Sequence, residues 1–334
     1  MKPTLKLSFF LALILVVSQL VFPQRYFHYV LDRDPSIDKR YEQAINEQHA
    51  NLVFVGNSIL KKAVDFEALD ELMDATVVDV SVNATTAPDW YLFLKNNIVT
   101  SSQRPLTVVI FFIDYRLTTV STMRDAEDQK RVNKFAGHDE PVFDALVYDL
   151  SLLERWALDT IAPYAYQAEA RNVLESPFRY GLPRLVNGWD QEAIDLAAEA
   201  TFDNDNMDTG LLELARQESE EFGDASPQGL FETRLNDSFL PQLIQLAKEN
   251  DVRLVFARIM TQRYLTPDLQ PPEIVAYIQD LENYLKRNGL TFIDFTGSPG
   301  LAAEHFRDST HLNEAGRAIF TPIVAETLIE LGIP

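Results

Sequence analysis

The sequence predicts an α/β fold in which helices cover both faces of a five-stranded parallel sheet. Two observations carry this reading. Short apolar runs at residues 52–55, 76–80, 106–113, 252–257 and 290–295 alternate with segments of helical spacing, the order from which crossover units build a parallel sheet. The third run, LTVVIFFI, is apolar at consecutive positions, which suits a central strand buried on both sides.

Taken in order, residues 36–48 read as a helix with Ser36 at its N-cap, since serine favours that position. After the first strand, residues 66–73 have helical spacing, and after the second a helix spans 88–98. The fourth and fifth strands each follow a helix, at 239–249 and 273–287, and a last helix runs from Glu314 to about residue 331. Between about 117 and 227 the alternation stops. Residues 141–160 look helical and amphipathic and 190–220 are acidic, so the interval reads as a helical insertion over the sheet's C-terminal edge, with a separate small domain as the alternative. Its DNDNMD stretch at 203–208 lacks the glycine and terminal glutamate of a calcium loop and reads as a solvated turn.

Composition narrows the function. With 334 residues at 46% hydrophobic content the chain can build a sizeable core. Fifty acidic against 29 basic residues give a net charge of −21, which argues against nucleic acid as a partner, because phosphate binding rests on clustered cations. There is no cysteine, so disulfides, thiolate metal sites and a cysteine nucleophile are excluded. The five histidines show no metal-ligand spacing, and neither a metal nor another cofactor is expected.

Residues 7–22 carry no charge, follow Lys2 and Lys6, and end at Pro23-Gln24-Arg25. A helix over about residues 4–22 is just long enough to cross a bilayer. No small-residue cleavage site is visible, which favours an uncleaved anchor over a secretory signal peptide. The lysines bias the N-terminus toward the cytoplasm. The expected organisation is therefore an anchor at 1–23 in the cytoplasmic membrane and an exported α/β domain at 24–334, on the periplasmic or extracellular side.

Two segments carry chemistry. The first strand breaks at Gly56-Asn57-Ser58, which puts Ser58 at a strand-to-helix turn, and far downstream Asp308 precedes His311 by three residues in DSTHLNEAG. A serine lifted out of a sheet by such a turn, a histidine base and an aspartate to orient it are the parts of a serine nucleophile system. Taken separately, Ser58 is as well explained as a helix cap, and Asp308 and His311 as a surface loop.

These segments resemble the SGNH, or GDSL-type, hydrolase superfamily, in which four short blocks supply Ser, Gly, Asn and His on a flavodoxin-like sheet. Val53-Phe54-Val55-Gly56-Asn57-Ser58 matches the first block, with Asn57 where the family often has Asp, and Asp308 through Asn313 matches the last. The resemblance implies a three-layer flavodoxin-like fold, Ser58 as nucleophile, His311 as base and Asp308 as its partner. It also implies an oxyanion site at Ser58, Ala84 and Asp114. Ala84 stands where the family has glycine, a change of small cost if the turn there has ordinary dihedrals. Asp114 stands where the family has asparagine, and an ionised carboxylate cannot donate to an oxyanion. Protonation by burial, pairing with Arg116, or another donor would each resolve the conflict. Arg258, just past the fourth strand, lies at the same sheet edge, either to bind an anionic substrate group or to pair with a carboxylate.

An anchored domain of this kind resembles exported proteins that add or remove acyl groups on envelope or exopolysaccharide glycans, including partners of membrane-bound O-acyltransferases. The expected partners are thus an acylated or acceptor glycan, a membrane-bound O-acyltransferase and the membrane. A non-catalytic glycan-binding or assembly scaffold on the same fold is the alternative.

Overall fold

Five strands run parallel in one sheet: β1 (Leu52–Gly56), β2 (Val77–Ser81), β3 (Thr107–Phe112), β4 (Arg253–Arg258) and β5 (Thr291–Asp294), in the spatial order β2-β1-β3-β4-β5. The computed structural model describes residues 36–73, 75–102, 107–114, 116–118, 126–148 and 230–333. The anchor expected at 1–23, the acidic stretch 190–220 and the turn at 203–208 lie outside them. Among the described residues no helix is long and apolar enough to cross a membrane. The chain divides into two packing units, one of Ile37–Ser121 with Glu218–Pro334 and one of Met1–Ser36 with Thr122–Gln217.

The sheet belongs to the first unit. Its order is the flavodoxin-like 2-1-3-4-5, in which the chain reverses its direction of travel across the sheet between β1 and β3, the switch point outside whose C-terminal strand ends sheets of this kind carry their sites. β1 and β3 are buried at every position, whereas the edge strands β2 and β5 keep partly exposed residues. This is the pattern expected when helices cover both faces.

Helices α1 (Arg40–Gln48), α2 (Ser58–Ala63), α3 (Phe66–Leu72) and α4 (Ala87–Phe93) accompany the first three strands. The expected helix at 88–98 starts as α4, but its last turn widens into a π-helix at Leu94–Ile98, where buried Asn97 accepts the Glu42 N–H of α1 at 3.4 Å. Ser36 is not the cap of α1: the helix starts at Arg40 with Lys39 at the N-cap and no side chain closing it. The described part of the expected insertion holds α5 (Ala126–Phe135) and α6 (Pro141–Val147), both in the second unit. In the first unit α7 (Leu230–Leu235), α8 (Leu240–Glu249), α9 (Pro272–Arg287) and α10 (Glu314–Glu330) complete the layers.

One face of the sheet packs its apolar side chains against α2, α3 and α10. Phe54 of β1 stacks on Phe111 of β3 at 5.4 Å between ring centroids, Phe111 stacks on Phe295 at 6.2 Å, and Phe295 meets Phe320 of α10 edge-on at 5.1 Å. Such pairs add about 0.5–1.5 kcal/mol each beyond their buried area. They lock α10, and with it the loop leading into α10, to the strand that precedes Ser58.

Candidate active site

β1 ends at Gly56, Asn57 is extended, and α2 begins at Ser58. The N-cap is Asn57, whose Oδ1 accepts the Ile59 N–H at 3.0 Å. Ser58 is therefore the first helical residue rather than the cap, and its hydroxyl is left for another partner. That partner is Nε2 of His311, at 2.9 Å and 253 residues away in sequence. As a first-turn residue, Ser58 also has a backbone N–H with no helical carbonyl to receive it. Gly56 is needed for space: a Cβ there would lie 2.8 Å from Leu60 Cβ and Cδ2, so a larger residue would push α2 off the strand end.

The base comes from a tightly closed loop. The N–H of Arg307 donates to the His311 carbonyl at 2.8 Å, Phe306 and Leu312 form an antiparallel bridge, and Asn313 caps α10 by accepting the Gly316 N–H at 2.9 Å. A Cβ on Gly316 would fall 2.3 Å from the His305 carbonyl, so only glycine lets α10 start this close beneath the loop. Gln262, beyond β4, ties the loop to the sheet: its N–H donates to the Ser309 carbonyl at 3.0 Å and its Nε2 to the Ala303 carbonyl at 3.1 Å.

Within the loop both Asp308 oxygens lie 2.9 Å from His311 Nδ1. Oδ1 also accepts the N–H groups of His311 at 2.8 Å and Thr310 at 2.9 Å, and the Thr310 hydroxyl at 3.2 Å. Burial pushes the Asp308 carboxyl up, but the hydrogen bonds from the His311 ring and from the Thr310 and His311 backbones outweigh it and hold the group at about 2. An ionised Asp308 accepts a hydrogen bond from Nδ1–H, so the ring's proton stays on Nδ1 and Nε2 is left to accept from the Ser58 hydroxyl. The arrangement can thus remove a proton from Ser58 and stabilise the imidazolium that results.

Two further turns share this sheet edge. Beyond β2, the Val82 N–H donates to the Gly56 carbonyl at 3.2 Å, the Thr85 hydroxyl donates to the same carbonyl at 2.9 Å, and Asn57 Nδ2 donates to the Thr85 carbonyl at 3.3 Å. Asn57 thus serves as acceptor and donor at once, which the aspartate of the resembling family cannot do. Ala84 lies in this turn with φ 60°. The expectation of ordinary dihedrals fails there: the left-handed conformation that favours glycine is kept with a methyl group in it, because the turn is pulled closed by Thr85.

Beyond β3, Asp114 also has a positive φ, 45°. One group it meets is Arg258, whose Nη2 is 3.5 Å from Asp114 Oδ1. Arg258 Nη1 donates to Gln270 Oε1 at 3.0 Å and to Asp294 Oδ2 at 3.1 Å. With 1% of its side chain exposed, Arg258 takes the second of the two roles open to it, pairing with carboxylates rather than standing open as a substrate-binding cation. Burying a guanidinium is tolerable only among carboxylates; β5 ends in one, Asp294, and the turn beyond β3 supplies the other, Asp114.

The sequence reading brought Ser58, His311, Asp308, Ala84 and Asp114 into view, and the structure gathers Ser58, His311 and Asp308 by direct contact. It missed Thr85 and Gln262. Thr85 had a local signal, a Thr-Thr-Ala-Pro-Asp run before a helix, in which Asp89 accepts the Thr86 N–H at 3.0 Å. Gln262 had none, because its role is set by the carbonyls opposite it.

No family model and no curated protein matches the chain. Among solved structures, a GDSL-like lipase from Bacteroides thetaiotaomicron is similar over 88% of this chain and 98% of its own, with 12% identity and a TM-score of 0.39. A variant of an acetyl-xylooligosaccharide esterase from Geobacillus Stearmophilus is similar over 85% of this chain and 95% of its own, with 14% identity and a TM-score of 0.37. Likeness at this level carries no argument about chemistry, which rests on the side-chain geometry.

Proposed function

We propose that this chain is an SGNH-type serine esterase or O-acyltransferase that acts on cell-envelope or exopolysaccharide glycans. The observation that supports the serine chemistry is the unbroken relay from Ser58 through His311 to Asp308, each link 2.9 Å, at the switch point of a 2-1-3-4-5 sheet. Ser58 Oγ attacks the ester carbonyl carbon as its proton passes to His311 Nε2. The oxyanion is received by the N–H groups of Ser58 and Ala84. Collapse of the tetrahedral intermediate breaks the ester C–O bond, and the leaving alcohol takes the proton from Nε2. Water or a sugar hydroxyl, deprotonated by the same nitrogen, then attacks the acyl-serine and releases an acid or a new ester.

The glycan and membrane parts of the reading rest on the uncharged run at 7–22 behind Lys2 and Lys6 and on the resemblance of an anchored domain to exported acyl-transfer proteins. In this reading the domain works outside the cytoplasmic membrane, beside a membrane-bound O-acyltransferase, without metal or cofactor. Alkaline phosphatase fused to the C-terminus is then active. An inactive phosphatase with an active cytoplasmic reporter at the same site reverses the topology.

Asp114 favours a second reading, a scaffold that keeps the fold without the reaction. Treating the full chain in detergent with a fluorophosphonate separates the two. The enzyme labels stoichiometrically at Ser58 and loses the label in Ser58→Ala. A folded chain that takes up no label is the scaffold.

A further inference from the structure

We infer that Thr85 is a positioning residue for the nucleophile: it holds the two residues that precede Ser58, Gly56 through its hydroxyl and Asn57 through its main-chain carbonyl, and so fixes the turn that presents Ser58 to His311. The inference rests on the serine-enzyme reading above and adds to it a residue from outside the relay.

The strand ladder leaves this turn to be held from the β2 side. β1 pairs with β2 as far as Gly56–Ser81, but with β3 only as far as Val55–Ile110. Gly56 is therefore past its last β3 partner, and two bonds to its carbonyl come from the turn beyond β2. They are the Val82 N–H at 3.2 Å and the Thr85 hydroxyl at 2.9 Å. One residue on, Asn57 Nδ2 donates to the Thr85 carbonyl at 3.3 Å, while Asn57 Oδ1 accepts the Ile59 N–H at 3.0 Å on the far side of Ser58. The backbone on which Ser58 rides is thus tied to Thr85 at two points.

Thr85 is itself fixed. It and Trp90 are buried, at 0% and 1% exposure, so neither polar group has water as an alternative partner. The Trp90 indole Nε1, which can only donate, gives its hydrogen to Thr85 Oγ1 at 3.2 Å. The hydroxyl's own hydrogen is then turned toward its carbonyl acceptors, Gly56 at 2.9 Å and Val82 of the same turn at 2.8 Å. Trp90 is held in α4, where its N–H donates to the Thr86 carbonyl at 3.1 Å. A chain of contacts therefore runs from α4 through Thr85 to the carbonyl two residues before the nucleophile. Ser58 Oγ lies 2.9 Å from His311 Nε2, and misplacement of a reacting group by about 1 Å costs on the order of 10²-fold in rate.

Rates on p-nitrophenyl acetate with the full-length protein test this, expressed per Ser58 titrated to completion by fluorophosphonate, so that misfolded molecules do not count. Thr85→Val, which removes the hydroxyl and keeps the branched side chain, lowers kcat about 100-fold with KM little changed. Thr85→Ser, which restores the hydroxyl, stays within a few-fold of the parent. A merely structural threonine would change the yield of titratable sites and leave the turnover of each site as it was. A kcat per site equal to the parent's in Thr85→Val therefore overturns the inference, and so does an equal loss in Thr85→Ser. If Thr85→Val yields no titratable enzyme, Asn57→Asp replaces it: the carboxylate still accepts the Ile59 N–H but cannot donate to the Thr85 carbonyl. The loss of that one bond lowers kcat per site about 10-fold, and parent turnover there overturns the inference in the same way. Absence of Ser58 labelling in the unmutated chain strikes the serine-enzyme reading instead, so the two failures are distinct.

Discussion

The turns that carry Ser58 and His311 and the turns that end β2 and β3 share one sheet edge, yet they are held in opposite ways. The first pair is built from ordinary backbone. Asn57 and Asn313 cap α2 and α10, and the Asp308–His311 loop closes on its own N–H groups and on Gln262. Each of these contacts is made by a residue in a conformation it prefers, so the reacting atoms are placed at little conformational cost. In the second pair Ala84 and Asp114 take positive φ values that non-glycine residues avoid. Around them the contacts reach across the sheet edge, Thr85 of the Ala84 turn onto Gly56 at the end of β1 and Arg258 of β4 toward Asp114. In the proposed reaction the groups that would move protons sit on relaxed backbone, and at this sheet edge the positive φ values fall on the turns proposed to face the oxyanion.

Substitutions sharpen this contrast, and the largest effects belong to the relaxed pair. Ser58→Ala abolishes fluorophosphonate labelling and lowers esterase turnover by about 10⁴-fold or more, while thermal unfolding shows a midpoint close to that of the parent chain. A large loss of stability would mean that Ser58 is a structural residue after all.

Asp308→Asn lowers kcat by about 10⁴-fold, since an amide no longer selects the Nδ1–H form of His311. The same variant has a signature in acid. The folded-state value of Asp308 is about 2, below the 3.8 of a free aspartate, so its stabilising contribution is complete above pH ~4 and is lost as pH falls toward ~2. A pH series of melting temperatures therefore drops less steeply across that window in Asp308→Asn than in the parent. Identical slopes would show that the contacts to Asp308 do not favour its charged form.

Gly316→Ala acts through packing. Its Cβ would need the space of the His305 carbonyl at 2.3 Å, so the loop or the start of α10 must shift. A loss of about 1–3 kcal/mol in denaturant unfolding is expected, with a kcat about 10²-fold lower, since displacement of a base by about 1 Å costs that much. Unchanged kinetics would separate the packing of α10 from the placement of His311.

The smallest effect has the opposite sign. Ala84→Gly relieves the left-handed residue and stabilises the fold by about 1 kcal/mol, a rise of about 2 °C or more in melting temperature. Destabilisation by this change would remove the contrast between the two pairs of turns.

The sequence by itself determined the sheet and singled out the three residues of the proposed relay. The apolar runs and their alternation with helical spacing are local signals, legible because burial on both faces demands consecutive apolar residues. Ser58, Asp308 and His311 were legible because a strand-to-helix turn and an Asp three residues before a His are patterns within a few positions. What depends on distant groups was not. The N-cap role of Asn57 rather than Ser58, the positive φ of Ala84, and the clasp of Gln262 on the Ser309 carbonyl each arise from contacts closed only when elements far apart in sequence pack together. The meeting of Arg258 with Asp114 and Asp294 is of the same kind: the sequence offers 29 basic residues against 50 acidic ones. Only the parallel register that brings β3, β4 and β5 to a common end decides which of them meet, because charge pairing has no sequence period and is settled by burial and distance.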